Sequence, residues 1–121
     1  MAHAGEKKFC KGADEIRQLI PDRGGCLASD RILVDGAAVG FMYREAASGS
    51  VQSGWVFTAG DEDQEYVDQP ENWAVYEVNT ICNYDPAIIP YLDHPVGAAL
   101  GRVEGSDEFE EELSPFPDFD V

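Results

Sequence analysis

Cys82 and His94, with Asp85 and Asp93 close by in the chain, supply the residue types of a nucleophile, a general base and an orienting acid. Such chemistry needs the thiol beside its base in space, and the sequence places Cys82 at the end of an apolar run, where a small buried hydrophobe is the ordinary outcome. His94 directly precedes Pro95 and reads as a loop residue. A second constellation, Asp61, Glu62, Asp63, Glu65 and Asp68, has the carboxylate density to hold a hard cation such as Mg²⁺ or Ca²⁺. It lacks the alternating acidic spacing of a calcium loop, and acids at a helix start are favourable to the helix dipole without any metal. No G-x-S-x-G, H-E-x-x-H or phosphate-cradling glycine loop occurs. The residues therefore point to no enzyme, no metal and no cofactor.

Aromatic side chains carry much of the energy of protein interfaces, which makes Trp55, Trp73, Tyr76 and Tyr84 a third group to weigh. Trp55, Phe57 and Tyr76 lie in alternating patterns that need core residues. Tyr84, in Asn83-Tyr84-Asp85-Pro86, reads as a loop aromatic and the better surface anchor.

The elements that must position these residues follow from periodicity. Ile16, Leu19 and Ile20 at helical spacing, with Asp14 and Glu15 ahead of them and Pro21 behind, predict a short helix over Ala13 to Ile20. Cys26-Leu27-Ala28 and Ile32-Leu33-Val34 are short apolar runs, and Asp35-Gly36 between the latter and the alternating Val39, Phe41 and Tyr43 predicts a hairpin. Trp55 to Thr58 and Trp73 to Val78 read as strands. Between them a short helix can begin at Asp61 and must end before Pro70. Asn79 to Asp85 is rich in turn-tolerant residues, Pro86 opens a short helix through Leu92, and Ala98 to Val103 supplies a last strand. Strands in succession with helices at the start and between later strands predict an α+β fold, a single domain with a mostly antiparallel sheet of about five strands and a few short helices.

The 121 residues suffice for one core and not two. Their formal net charge is −16, from 24 acids against 8 bases, and no Lys or Arg occurs between Arg44 and Arg102. A phosphate backbone or an anionic membrane surface would be repelled over most of this protein, which excludes nucleic acid and membranes as partners. A basic protein would be attracted and steered in. Three cysteines without a C-x-x-C pair, and Lys7 and Lys8 with no apolar run after them, indicate reduced thiols and a cytoplasmic location.

Three separated stretches together carry a resemblance: Cys26 to Tyr43 with Val34-Asp35-Gly36, Ser53-Gly54-Trp55-Val56-Phe57 with Gly60-Asp61-Glu62, and Tyr76-Glu77-Val78-Asn79-Thr80-Ile81-Cys82-Asn83-Tyr84-Asp85-Pro86. In this order they resemble the bacterial immunity protein 33-like domain, over about Gly25 to Val103. The resemblance divides the chain into an N-terminal extension with a short helix over 1–24, the domain over 25–103 and an acidic tail over 104–121. It implies a non-enzymatic protein that sits in the producing cell and neutralises a cognate toxin by binding it. The anionic surface fits a basic toxin, and Asp61, Glu62, Asp63, Glu65, Asp68, Tyr84 and Asp85 are the expected partner contacts, with Tyr84 the aromatic anchor. A domain binding a small ligand or metal, or an enzyme of another type, is the alternative reading.

Overall fold

The computed structural model describes residues 8–47, 49 and 51–112. Six strands, β1 (Gly25–Ser29), β2 (Phe41–Arg44), β3 (Trp55–Thr58), β4 (Trp73–Glu77), β5 (Ala99–Arg102) and β6 (Phe109–Glu111), form one sheet in the order β4-β1-β3-β2-β5-β6. Only β1 and β3 run parallel; every other neighbouring pair is antiparallel. Among the described residues, three short α-helices, α1 (Asp30–Leu33), α2 (Gln64–Val67) and α3 (Val78–Tyr84), and three 3-10 turns join the sheet in an α+β fold. Strand β6 falls in the stretch expected to be acidic tail, and brings the sheet to six strands rather than about five.

Successive strand residues face opposite sides, so Cys26 and Ala28, Met42, Trp55 and Phe57, and Leu100 share one face. Together with Ile32, Leu33, Val78, Ile81, Cys82, Ile88 and Leu92 from the connecting segments they make the core. Trp55 and Phe57, two residues apart on β3, stack at 5.9 Å, and the Trp55 indole donates to Leu92 O at 3.2 Å. Two arginines close the core like rivets. Arg44 lies over the Trp55 ring and donates to Ser53 O and His94 O, while Arg102 lies over Phe109 and donates to Val39 O.

Four sequence expectations change. The run Ile32-Leu33-Val34 is not a strand. Ser29 Oγ accepts from Arg31 N at 3.1 Å and caps α1, whose adjacent Ile32 and Leu33 both turn inward. The predicted Asp35-Gly36 hairpin is absent because its turn needs positive φ at both residues, and only Gly36 has it, at +80°. The helix expected over Ala13 to Ile20 shrinks to a 3-10 turn, Ala13–Glu15. Asn79 to Asp85, expected as turns, is instead the helix α3.

The last two changes have one cause. Val78, Ile81 and Cys82 recur at helical spacing and are all buried, so α3 forms on its apolar face. Its polar face carries Asn79 and Asn83, four residues apart and therefore neighbours. Asn79 Oδ1 accepts from Leu19 N at 2.7 Å and Ile20 N at 3.3 Å, Asn83 Oδ1 accepts from Arg17 N at 2.9 Å, and both amide groups donate to Arg17 O. These bonds satisfy Arg17 N and O, Leu19 N and Ile20 N from outside, where a helix would have satisfied them from within.

Candidate partner-binding surface

The catalytic constellation does not assemble. Cys82 is fully buried and its thiol is pushed up to about 11, chiefly by burial, so at neutral pH it holds its proton. His94 faces Tyr91, with Nδ1 3.0 Å from Tyr91 O. Asp93 pairs with Arg23 at the surface. Asp85 is spent elsewhere, as described below, and among the described residues no hydrogen bond joins Cys82, His94 and either carboxylate. Cys26, the other buried thiol, is held protonated above its ordinary range, first by burial and then by its neighbour Cys82.

The two residues expected as the aromatic and acidic anchor, Tyr84 and Asp85, serve the fold. The Tyr84 hydroxyl accepts from Lys11 N at 2.9 Å and donates to Lys11 O at 3.2 Å, which ties the N-terminal segment to α3. Asp85 is only 8% exposed. Its carboxylate accepts from Val39 N at 2.9 Å and Ala87 N at 3.2 Å and forms an ion pair with Arg102. Asp85 is thus buried in internal bonds, and Tyr84 is half-buried with its hydroxyl bonded to Lys11. The sequence read Asn83 to Pro86 as a loop, and a loop aromatic as exposed; α3 extends through Tyr84 and turns that ring inward.

The acids from Asp61 to Asp68 do lie together, around α2 and the turn before it. Asp61 pairs with Arg31, whose guanidinium holds the carboxyl below the usual carboxylate range. Glu62 accepts from Ala59 N at 2.8 Å and Gly60 N at 2.9 Å, closing the turn after β3. Asp63 caps α2 by accepting from Tyr66 N at 2.8 Å, and Asp68 accepts from Gln64 Nε2 at 2.8 Å. Glu65 projects from α2 into solvent. Local roles for four of the five do not remove their charge, and among the described residues no group of three or more His, Cys, Asp or Glu gathers with metal-site geometry.

This acidic corner continues along the sheet. The indole of Trp73 donates to Val67 O at 3.1 Å, which packs α2 against the start of β4, and Glu71 and Glu77 bracket that strand. From Asp61 to Glu77 there are seven acids and no base. The four arginines between residues 23 and 102 are all engaged: Arg23 with Asp93, Arg31 with Asp35 and Asp61, Arg44 with two carbonyls, and Arg102 with Asp85 and Asp107. These four cations are thus engaged in holding the fold, and Asp63, Glu65, Asp68, Glu71 and Glu77 are exposed and paired with none of the four.

The side of the sheet opposite the core carries a row across five strands, Val75, Leu27, Val56, Tyr43 and Ala99, in direct register. A family model described as the Immunity protein Imm33 domain matches residues 26–112, from β1 through β6. The chain belongs to this immunity protein family. The match takes in the acidic corner and all but the first residue of the sheet, and it leaves out the N-terminal segment that Asn79, Asn83 and Tyr84 hold in place. No curated protein and no solved structure matches the chain. No helix among the described residues is long and apolar enough to cross a membrane.

Proposed function

We propose that this protein is a non-enzymatic, cytoplasmic immunity protein that neutralises a cognate bacterial toxin by binding it, and that the toxin is basic where it is bound. The observation that carries the reading is the family membership over residues 26–112, combined with seven acids and no base from Asp61 to Glu77. On this reading Asp61, Glu62, Asp63, Glu65 and Asp68, extended by Glu71, steer the toxin in. Tyr84 and Asp85 support the structure behind them.

The test is growth rescue followed by association kinetics. Co-expression of this protein with its cognate toxin restores growth, and the purified pair associates faster at low salt than at high salt. Reversing Glu65, Asp68 and Glu71 to lysine keeps the Glu62 turn and Asp63 cap bonds, loses only the exposed Gln64–Asp68 bond, and slows association about tenfold or more at low ionic strength, with little change in thermal stability. Rescue failing with every toxin of the producing cell would remove the inhibitor reading. An unchanged association rate in the triple variant would instead remove the acidic corner as the steering surface.

A further inference from the structure

The two edges of the sheet are built differently. At one end β6 is three residues long and lies within Glu108, Glu110, Glu111 and Glu112, a density of charge that discourages strand addition. At the other end β4 is five residues long and carries Trp73, Val75 and Glu77 on the side of the sheet away from the core, with Val75 45% exposed.

The hydrogen-bond alternation of an antiparallel pair fixes which groups of β4 point outward. Val78 N donates to Gly24 O at 3.1 Å, and Gly25 O turns the other way to accept from Ser53 N at 3.0 Å. Stepping by two from that bonded pair, Tyr76 faces Cys26 and Ala74 faces Ala28 in bonded positions. Trp73, Val75 and Glu77 therefore direct their backbone groups away from β1. Trp73 N donates to Pro70 O, and no strand among the described residues pairs with the remainder.

We propose that the outer edge of β4 is the docking site for the partner, which adds an extended segment of alternating basic and apolar residues to the sheet; the inference rests on the inhibitor reading for the identity of that partner. Main-chain bonds to the N–H and C=O of Val75 and to the N–H of Glu77, whose C=O belongs to α3, supply the pairing, and side chains supply the selection. An incoming strand places an apolar residue opposite Val75, one lysine or arginine opposite Glu77 at the far end of β4, and another near Glu71 at the start. Charge complementarity decides the occupant. A second copy of this chain would bring another net −16 against the same edge.

The probe is a synthetic peptide, acetyl-Lys-Thr-Val-Thr-Lys-Thr-Val-Thr-Lys-amide, at millimolar concentration, with its glutamate-for-lysine counterpart as control. Amide hydrogen exchange of the full chain is followed by NMR. The lysine peptide slows exchange at Val75 and Glu77 about tenfold at saturation and leaves Glu111, whose N–H points out of the β6 edge, unchanged, and the glutamate peptide protects neither. Val75→Pro removes only an outward N–H, so the pairing with β1 and the melting temperature persist while peptide protection is lost. Should that variant not fold, Val75→Lys retains the backbone donor and weakens binding of the lysine peptide about fivefold or more.

Absence of protection, equal protection by the glutamate peptide, protection without peptide that grows with protein concentration, or unchanged binding to Val75→Lys would each overturn the proposal. Growth rescue separates the two levels of argument. Rescue with an unprotected edge removes β4 docking and spares the inhibitor reading; edge protection without rescue does the reverse.

Discussion

Replacing Asp85 by alanine removes an ion-pair partner and two hydrogen-bond acceptors in one step. Val39 is fully buried, and its N–H then has no acceptor, a loss of about 1–3 kcal/mol for an unmet buried donor. Arg102, whose side chain is 16% exposed, retains Asp107 and the carbonyls of Val39 and Ser106, but Asp107 is itself 91% exposed and compensates little of its charge. Breaking a largely buried pair by deleting one partner costs about 3–5 kcal/mol, a range that already contains the orphaned donor. That is a large share of the ~5–15 kcal/mol that holds a domain together. Urea unfolding measures it directly: the midpoint falls and the slope stays constant, since the same surface is exposed. Asp85→Asn keeps one oxygen for Val39 N–H but loses the charge and turns its NH2 toward Ala87 N–H, so it costs about 1–3 kcal/mol, less than alanine. A loss below about 1 kcal/mol for Asp85→Ala would refute the assignment of this carboxylate as the tie between β5 and the segment before β2.

Asn79→Ala deprives Leu19 N and Ile20 N of their acceptor and leaves Arg17 O to Asn83 alone, and is expected to cost about 1–2 kcal/mol and to raise hydrogen exchange and proteolysis across residues 12–20 without loosening the sheet. A thiol reagent labels Cys10, which is exposed, and reaches Cys26 and Cys82 only after denaturation; rapid native labelling of all three would contradict the buried placement. The raised pKa of Cys82 has a sign that can be checked. The folded state keeps its proton up to about 11, whereas an unfolded thiol releases it near ~8.5, so stability is fully present below about 8.5 and declines between the two values. Tyr43 and Tyr76, both pushed up to about 12 mainly by burial, extend the decline at still higher pH, and urea midpoints measured from pH 7 to 11 follow it.

Strand content was legible wherever apolar residues alternated or clustered between breakers. Trp55 to Thr58 and Trp73 to Glu77 became strands because β-branched and aromatic residues fit a pleated, half-buried surface in almost any context, whereas Ala99 to Arg102, with neither, was legible only as a short apolar cluster. Charge was legible too, since counting Lys and Arg needs no coordinates. The helical spacing of Val78, Ile81 and Cys82 was also present, masked by asparagines that favour turns when their side chains bond nearby backbone. Whether Asn79 and Asn83 bond locally or reach Arg17 to Ile20, sixty residues back, is a question of tertiary contact. The same holds for Asp85 and Tyr84. Their types suggested an exposed anchor, and only the approach of Arg102, Val39 and Lys11 from distant parts of the chain made them internal. The sequence by itself determined an acidic α+β protein with a family's pattern of strands and turns, because composition and periodicity act locally. The tertiary structure alone decided which carboxylates are spent inside and which remain outside, and left β4 as the less guarded edge, because those outcomes depend on which segments meet.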